Sequence, residues 1–120
     1  MGTQSVRQRK VAERIQQLVS VVIDQKVKDP DTGFVTITHV RMSPDLRIAS
    51  VYFTVLGNEE AGQRSQRALD RAKNYIRNEI APALKMRFVP ELRFFIDDTM
   101  EYARKIERLL EDIKKEDNEE

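Results

Sequence analysis

One stretch, Gln66 to Asp97 (QRALDRAKNYIRNEIAPALKMRFVPELRFFID), constrains this chain more than any other, because it joins a long helical stripe directly to a hydrophobic strand. Ala68, Leu69, Ala72, Tyr75, Ile76, Ile80 and Leu84 recur at three- and four-residue spacing, so they share one face of a helix or of two consecutive helices. Such a face has to be buried. After Pro90, Leu92, Phe94 and Ile96 alternate with Arg93 and Phe95, the period of a half-buried strand on which the stripe can pack. Tyr75 belongs to the stripe, so core packing is its expected role rather than stacking on a base. Asn is, after Gly, the residue that most readily takes the left-handed conformation, so Ala72-Lys73-Asn74 reads as a kink between a helix over about Glu59–Lys73 and a further one. Pro82 falls inside the second pattern and either bends that helix at Ile80-Ala81 or starts a separate final turn.

Charge is concentrated in the same region. From Arg64 to Arg93 there are eight Lys or Arg against Asp70, Glu79 and Glu91, whereas the whole chain carries only +1 and residues 97–120 carry an acidic excess of five. On a helical wheel Arg64, Arg67 and Arg71 cluster away from the apolar stripe. A basic stripe on a helix beside a possible bend points to a phosphate backbone as partner.

The rest of the chain supplies the remaining elements. Ser5 and Gln8 make a capping box, and Val11, Ile15, Leu18, Val22 and Ile23 form the stripe of a helix from about Val6 to Lys28. Arg7, Lys10 and Arg14 lie on one face of it, with Arg9 nearby; a second basic surface and a merely solvated face are both open readings. Asp29-Pro30-Asp31-Thr32-Gly33 ends the helix. Strands follow over Phe34–Met42 and Asp45–Leu56, joined tightly at Ser43-Pro44-Asp45. The apolar parity of the first changes between Ile37 and Val40, which predicts a bulge near Thr38-His39. Gly57-Asn58-Glu59-Glu60 caps the next helix. Beyond the third strand, Asp98 and Glu101 cap a fourth helical stripe of Met100, Ala103, Ile106, Leu110 and Ile113. The order is α-β-β-α-α-β-α. The tight joint makes strands one and two antiparallel, and the helical crossover makes two and three parallel, giving an α+β fold with a three-stranded mixed sheet and helices on one face.

Several chemistries find no support in the residues. There is no cysteine, hence no disulfide framework or thiol chemistry. No apolar run approaches the ~18 residues of a membrane span, and the polar start does not resemble a secretory signal. Nothing matches a nucleotide-binding loop. His39 is the single histidine and reads as a surface or hairpin residue. Asp97-Asp98 reads structurally, since neighbours on a strand face opposite ways and Asp98 is a helix cap, although a small metal-dependent nuclease using the pair remains an alternative. A protein-interaction adaptor, its arginines serving only solubility, is another.

The basic helix pair with a candidate kink, followed by Arg87, Pro90-Glu91-Leu92, Phe94 and Asp97, resembles the ribosome-binding factor A family, as does the hairpin Thr36-Ile37-Thr38 to Tyr52. In that family the kink is centred on Ala-x-Gly, and Asn74 stands here in place of the Gly. The element order is that of a type II KH-like domain, the class this family resembles. That domain is expected over residues 6–113, including the C-terminal helix over 98–113, between a disordered start (1–5) and an acidic tail (114–120) whose charge and lack of apolar periodicity predict disorder. The resemblance implies a kinked helix pair in place of the Gly-x-x-Gly loop of a KH domain proper; glycine occurs only at 2, 33, 57 and 62. The implied role is a cytoplasmic, non-catalytic bacterial factor without cofactor or metal, monomeric off the ribosome. It would bind rRNA of the small ribosomal subunit late in maturation, support rRNA 5′-end processing, and leave before translation. Carried over residue by residue, the RNA-facing surface is Arg7, Lys10, Arg14, Arg64, Arg67, Arg71, Lys73, Asn74 and Arg77.

Overall fold

A computed structural model of the chain describes residues 4–97 together with 110, 111 and 113. Of the fourth helix expected over 98–113 only those last three residues are described, all helical. The rest of it lies outside the described residues, as do 1–3 and the tail 114–120. The elements are α1 (Val6–Lys26), β1 (Val35–Met42), β2 (Ile48–Val55), α2 (Glu59–Leu84) and β3 (Glu91–Ile96).

The sheet has the order β1-β2-β3, with β1 antiparallel and β3 parallel to the central strand, as the connections require. Between Ile37 and His39 the register of β1 shifts, so Thr38 is the extra residue of the expected bulge. That insertion lets Ile37 and then Val40 and Met42 all face the core. Ser43 N–H donates to Ile48 O, and Ser43 Oγ accepts from the N–H groups of Arg47 and Ile48, which fixes the hairpin.

One face of the sheet is covered. Ala49, Val51 and Phe53 of β2, with Leu92 and Phe94 of β3, meet Ile15, Val19, Val22 and Ile23 of α1 and Leu69, Ile76 and Ile80 of α2 in a single core. The capping box of α1 forms as predicted: Ser5 Oγ accepts from Gln8 N–H, and Gln8 Oε1 accepts from Ser5 N–H. Asn58 caps α2 by accepting from Ala61 N–H. Gln8 and Gln16 of α1 donate to β1 carbonyls at Met42 and at Ile37 and Thr38, whereas Gln66 and Arg77 of α2 reach Phe94 and Pro90. α2 therefore runs against the direction of β3.

The kink expected at Asn74 does not form. α2 is one helix of 26 residues through Ala72-Lys73-Asn74, and the described non-glycine residues with positive φ are Leu46 and Lys85. Continuity follows from packing: Ala68, Leu69, Ile76 and Ile80 are all buried on one unbroken face, and burying each Ile is worth about 1.5–3 kcal/mol. An interior Asn costs only about 0.7 kcal/mol or less relative to Ala, so it does not break the rod. Pro82 also stays within α2, in its last turn, and the chain is turned aside afterwards by Lys85, the left-handed C-cap. Tyr75 departs from expectation as well, lying 47% exposed beside the stripe instead of in it.

A straight helix sets the order of two mutants. Asn74→Gly should lower stability by about 0.3–0.5 kcal/mol, a Tm fall of roughly 2–3 °C, whereas Asn74→Val should stay within about 0.3 kcal/mol of the parent. Thermal melts run side by side test this. A Val variant melting clearly below the Gly variant would demand a left-handed residue at 74.

Candidate nucleic-acid interface

Burial of Ala12, Ile15, Val19 and Val22 turns the opposite side of α1 to solvent, and Arg7, Lys10 and Arg14 stand there, exposed. Arg64 and Arg67 are likewise exposed along α2, away from Ser65, Ala68 and Leu69. None of these five makes an ion pair with a described residue. Their charge is therefore available to a partner. Asn74 is exposed and Lys73 half-buried on the same helix.

Two of the nine expected residues are engaged within the fold. Arg71 Nη2 lies 2.9 Å from Asp29 Oδ2 and 3.4 Å from Asp31 Oδ2, pinning the loop after α1 to α2. The hydrogen bond from Arg71, followed by the Asp31 N–H, holds the Asp29 carboxyl below its ordinary value. Arg77 is half-buried, with Nη2 donating to Val89 O at 2.7 Å and Nε to Pro90 O at 3.1 Å. Its guanidinium holds the entry to β3. A helical wheel shows only that such residues face away from an apolar stripe; it gives no sign of the loop carbonyls and carboxylates that fold back onto them.

The face of the sheet that α1 and α2 do not cover carries a row of rings. His39 stacks on Tyr52 with centroids 4.2 Å apart and planes 9° from parallel, and Tyr52 meets Phe95 at 5.6 Å. The order of this row follows the strand register, which pairs His39 with Tyr52 and Tyr52 with Phe95. Asp97, buried at the end of β3, accepts from Thr38 Oγ1 at 2.6 Å, while His39 Nδ1 is 3.5 Å from the same carboxylate oxygen. The bulge is what brings Thr38 to it. Asp97 thus ties the first strand to the end of the third; Asp98 lies outside the described residues. Among the described residues no group of three or more His, Cys, Asp or Glu is placed to hold a metal ion. No described helix is long and apolar enough to cross a membrane.

A three-stranded mixed sheet with an N-terminal helix and a crossover helix on one face, bearing exposed arginines and no Gly-x-x-Gly loop, defines a KH-like domain. The match to a family model described as ribosome-binding factor A extends over residues 7–110. A ribosome-binding factor A from Citrifermentans bemidjiense is 50% identical over 107 residues, covering 89% of this chain and 90% of that one. The solution structure of a Thermotoga maritima protein described as a putative ribosome binding factor A superposes with a TM-score of 0.68 at 31% identity, covering 79% of this chain and 91% of its own. A Thermus thermophilus ribosome binding factor A, fitted as a homology model into a cryo-EM map of its complex with 30S, gives 0.57 at 24% identity, covering 79% and 96%. The chain belongs to the ribosome-binding factor A family.

Proposed function

We propose that this chain is a non-catalytic assembly factor that binds rRNA of the small ribosomal subunit during late maturation. In this reading it supports processing of the rRNA 5′ end, acts in the cytoplasm as a monomer, and leaves before translation. The observation that carries the reading is the set of five exposed cations, Arg7, Lys10, Arg14, Arg64 and Arg67, that make no ion pair with a described residue. The 30S complex of the Thermus thermophilus relative supplies the partner class. Arg71 and Arg77 act indirectly, by holding α2 to the loops on either side of it.

Sedimentation of a cell lysate tests the partner: the protein should travel with free small subunits and be depleted from whole ribosomes. The contact itself is tested by salt. Each phosphate contact contributes about −0.9 to the log-log salt slope on duplex and about −0.7 on single strands, so Arg64→Gln/Arg67→Gln should flatten the slope by roughly 1.4–1.8. Binding that ignores both salt and the double substitution would point instead to a protein target on the subunit.

A further inference from the structure

The β1–β2 hairpin, the start of α1 and the loop from α2 to β3 meet at one end of the molecule and enclose a cleft of about 410 Å³. Four cations drawn from three distant parts of the chain line it, namely Arg7, Arg47, Lys85 and Arg87, against one carboxylate, Asp45. That carboxylate is satisfied locally. Ser43 Oγ donates to it at 2.7 Å and Arg47 N–H at 3.1 Å, and these bonds hold it below the usual range and so ionised. The lining therefore keeps a strong positive excess, to which the N-terminal pole of α1 adds, since no acidic residue occupies its first turn. In the same cleft Phe88 is 49% exposed, with the Arg47 guanidinium 3.9 Å and that of Arg87 5.3 Å from its ring centroid. Arg47 takes one face of the ring, and about half of its surface stays accessible among the charges.

We propose that this cleft binds single-stranded RNA, with Arg7, Arg47, Lys85 and Arg87 taking backbone phosphates and Phe88 stacking an unpaired base. The inference rests on the rRNA reading above and extends it from the α1 stripe, with which the cleft shares Arg7, to a place that Arg64 and Arg67 of α2 do not line. Cations alone would suit an acidic peptide equally well. The ring favours RNA, because an unpaired base covers an accessible π-face while the arginines beside it meet the adjoining phosphates.

Full-length protein titrated against short fluorescein-labelled oligouridylate and oligoadenylate at several KCl concentrations provides the test. Arg47→Gln/Arg87→Gln should weaken binding and flatten the salt slope by about 1.4. Phe88→Ala should weaken it by about fivefold to a hundredfold, the worth of one stacked base, with the slope unchanged. Phe88→Trp should retain affinity and, because the chain has no other tryptophan, report stacking through quenched emission when RNA is added. A circular-dichroism spectrum and melt of Phe88→Ala that match the parent exclude misfolding as the cause of its loss. Cleft variants that bind like the parent, with Phe88→Trp unquenched while Arg64→Gln/Arg67→Gln weakens binding, would remove the cleft and leave the rRNA reading standing. A parent protein that binds no RNA yet still sediments with small subunits would overturn the rRNA reading, and the cleft with it. Oligoglutamate displacing the RNA as effectively as unlabelled oligouridylate would reassign the cleft to an acidic peptide.

Discussion

Phe53→Ala should lower the free energy of unfolding by about 3–5 kcal/mol, a large share of the roughly 5–15 kcal/mol that holds a domain together. Phe53 is 0% exposed on the central strand, paired with Ile37 on one side and Ile96 on the other. Its ring faces the side of the sheet on which the helices pack, and no backbone shift can fill the space left by its loss without pulling α1 or α2 inward. Phe95 sits on the next strand but on the other side of the sheet and is 42% exposed. Phe95→Ala should cost under about 1 kcal/mol, since its ring is far more exposed than that of Phe53 and meets the Tyr52 ring outside the core. Urea unfolding of the two variants compares the faces directly; equal losses would mean that the face opposite α1 and α2 is as tightly packed as the core.

A second large effect is expected at Arg77. Arg77→Ala removes both donors that hold Val89 and Pro90. Hydrogen bonds from a charged group are worth about 1.5–3 kcal/mol each when buried. Arg77 is only half-buried and water can replace it at the freed carbonyls, so about 2–4 kcal/mol is expected for the pair together. Arg67→Ala, on the same helix, should change stability by less than about 0.5 kcal/mol and instead reduce RNA affinity. Chemical denaturation alongside RNA titration separates the two arginines. A stable Arg77→Ala variant with impaired binding would return Arg77 to the interface.

That contrast marks where the sequence is informative. Alternation along β2 and β3, the caps at Ser5 and Asn58, and the parity change at Thr38 are local signals with one physical solution, and each appears where the spacing places it. Asn74 misleads because its backbone preference is weak, a few tenths of a kcal/mol, against the burial of Leu69 before the joint and Ile76 and Ile80 after it. Tyr75 misleads through periodicity, since three- and four-residue spacing cannot distinguish the centre of a stripe from its margin. Basic residues are the hardest to assign. Arg64 and Arg71 share a face and a chemistry in the sequence, but Asp29 and Asp31 neutralise one and not the other, and that difference depends on where a loop lands. The cleft containing Arg47, Lys85 and Arg87 is invisible along the chain because its walls come from residues some 40 apart in sequence.

The unbroken course of α2 fixes a distance. Arg64 stands near its start and Lys85 just past its end, so at about 1.5 Å of rise per residue the two are held roughly 30 Å apart. A bent pair would let that span vary, whereas a single rod sets it like a gauge. An RNA that occupied both positions would have to present its phosphates at that separation, and a strand folded too tightly would reach only one of them. Selection would then be by the reach of the partner, with the order of its bases of secondary importance.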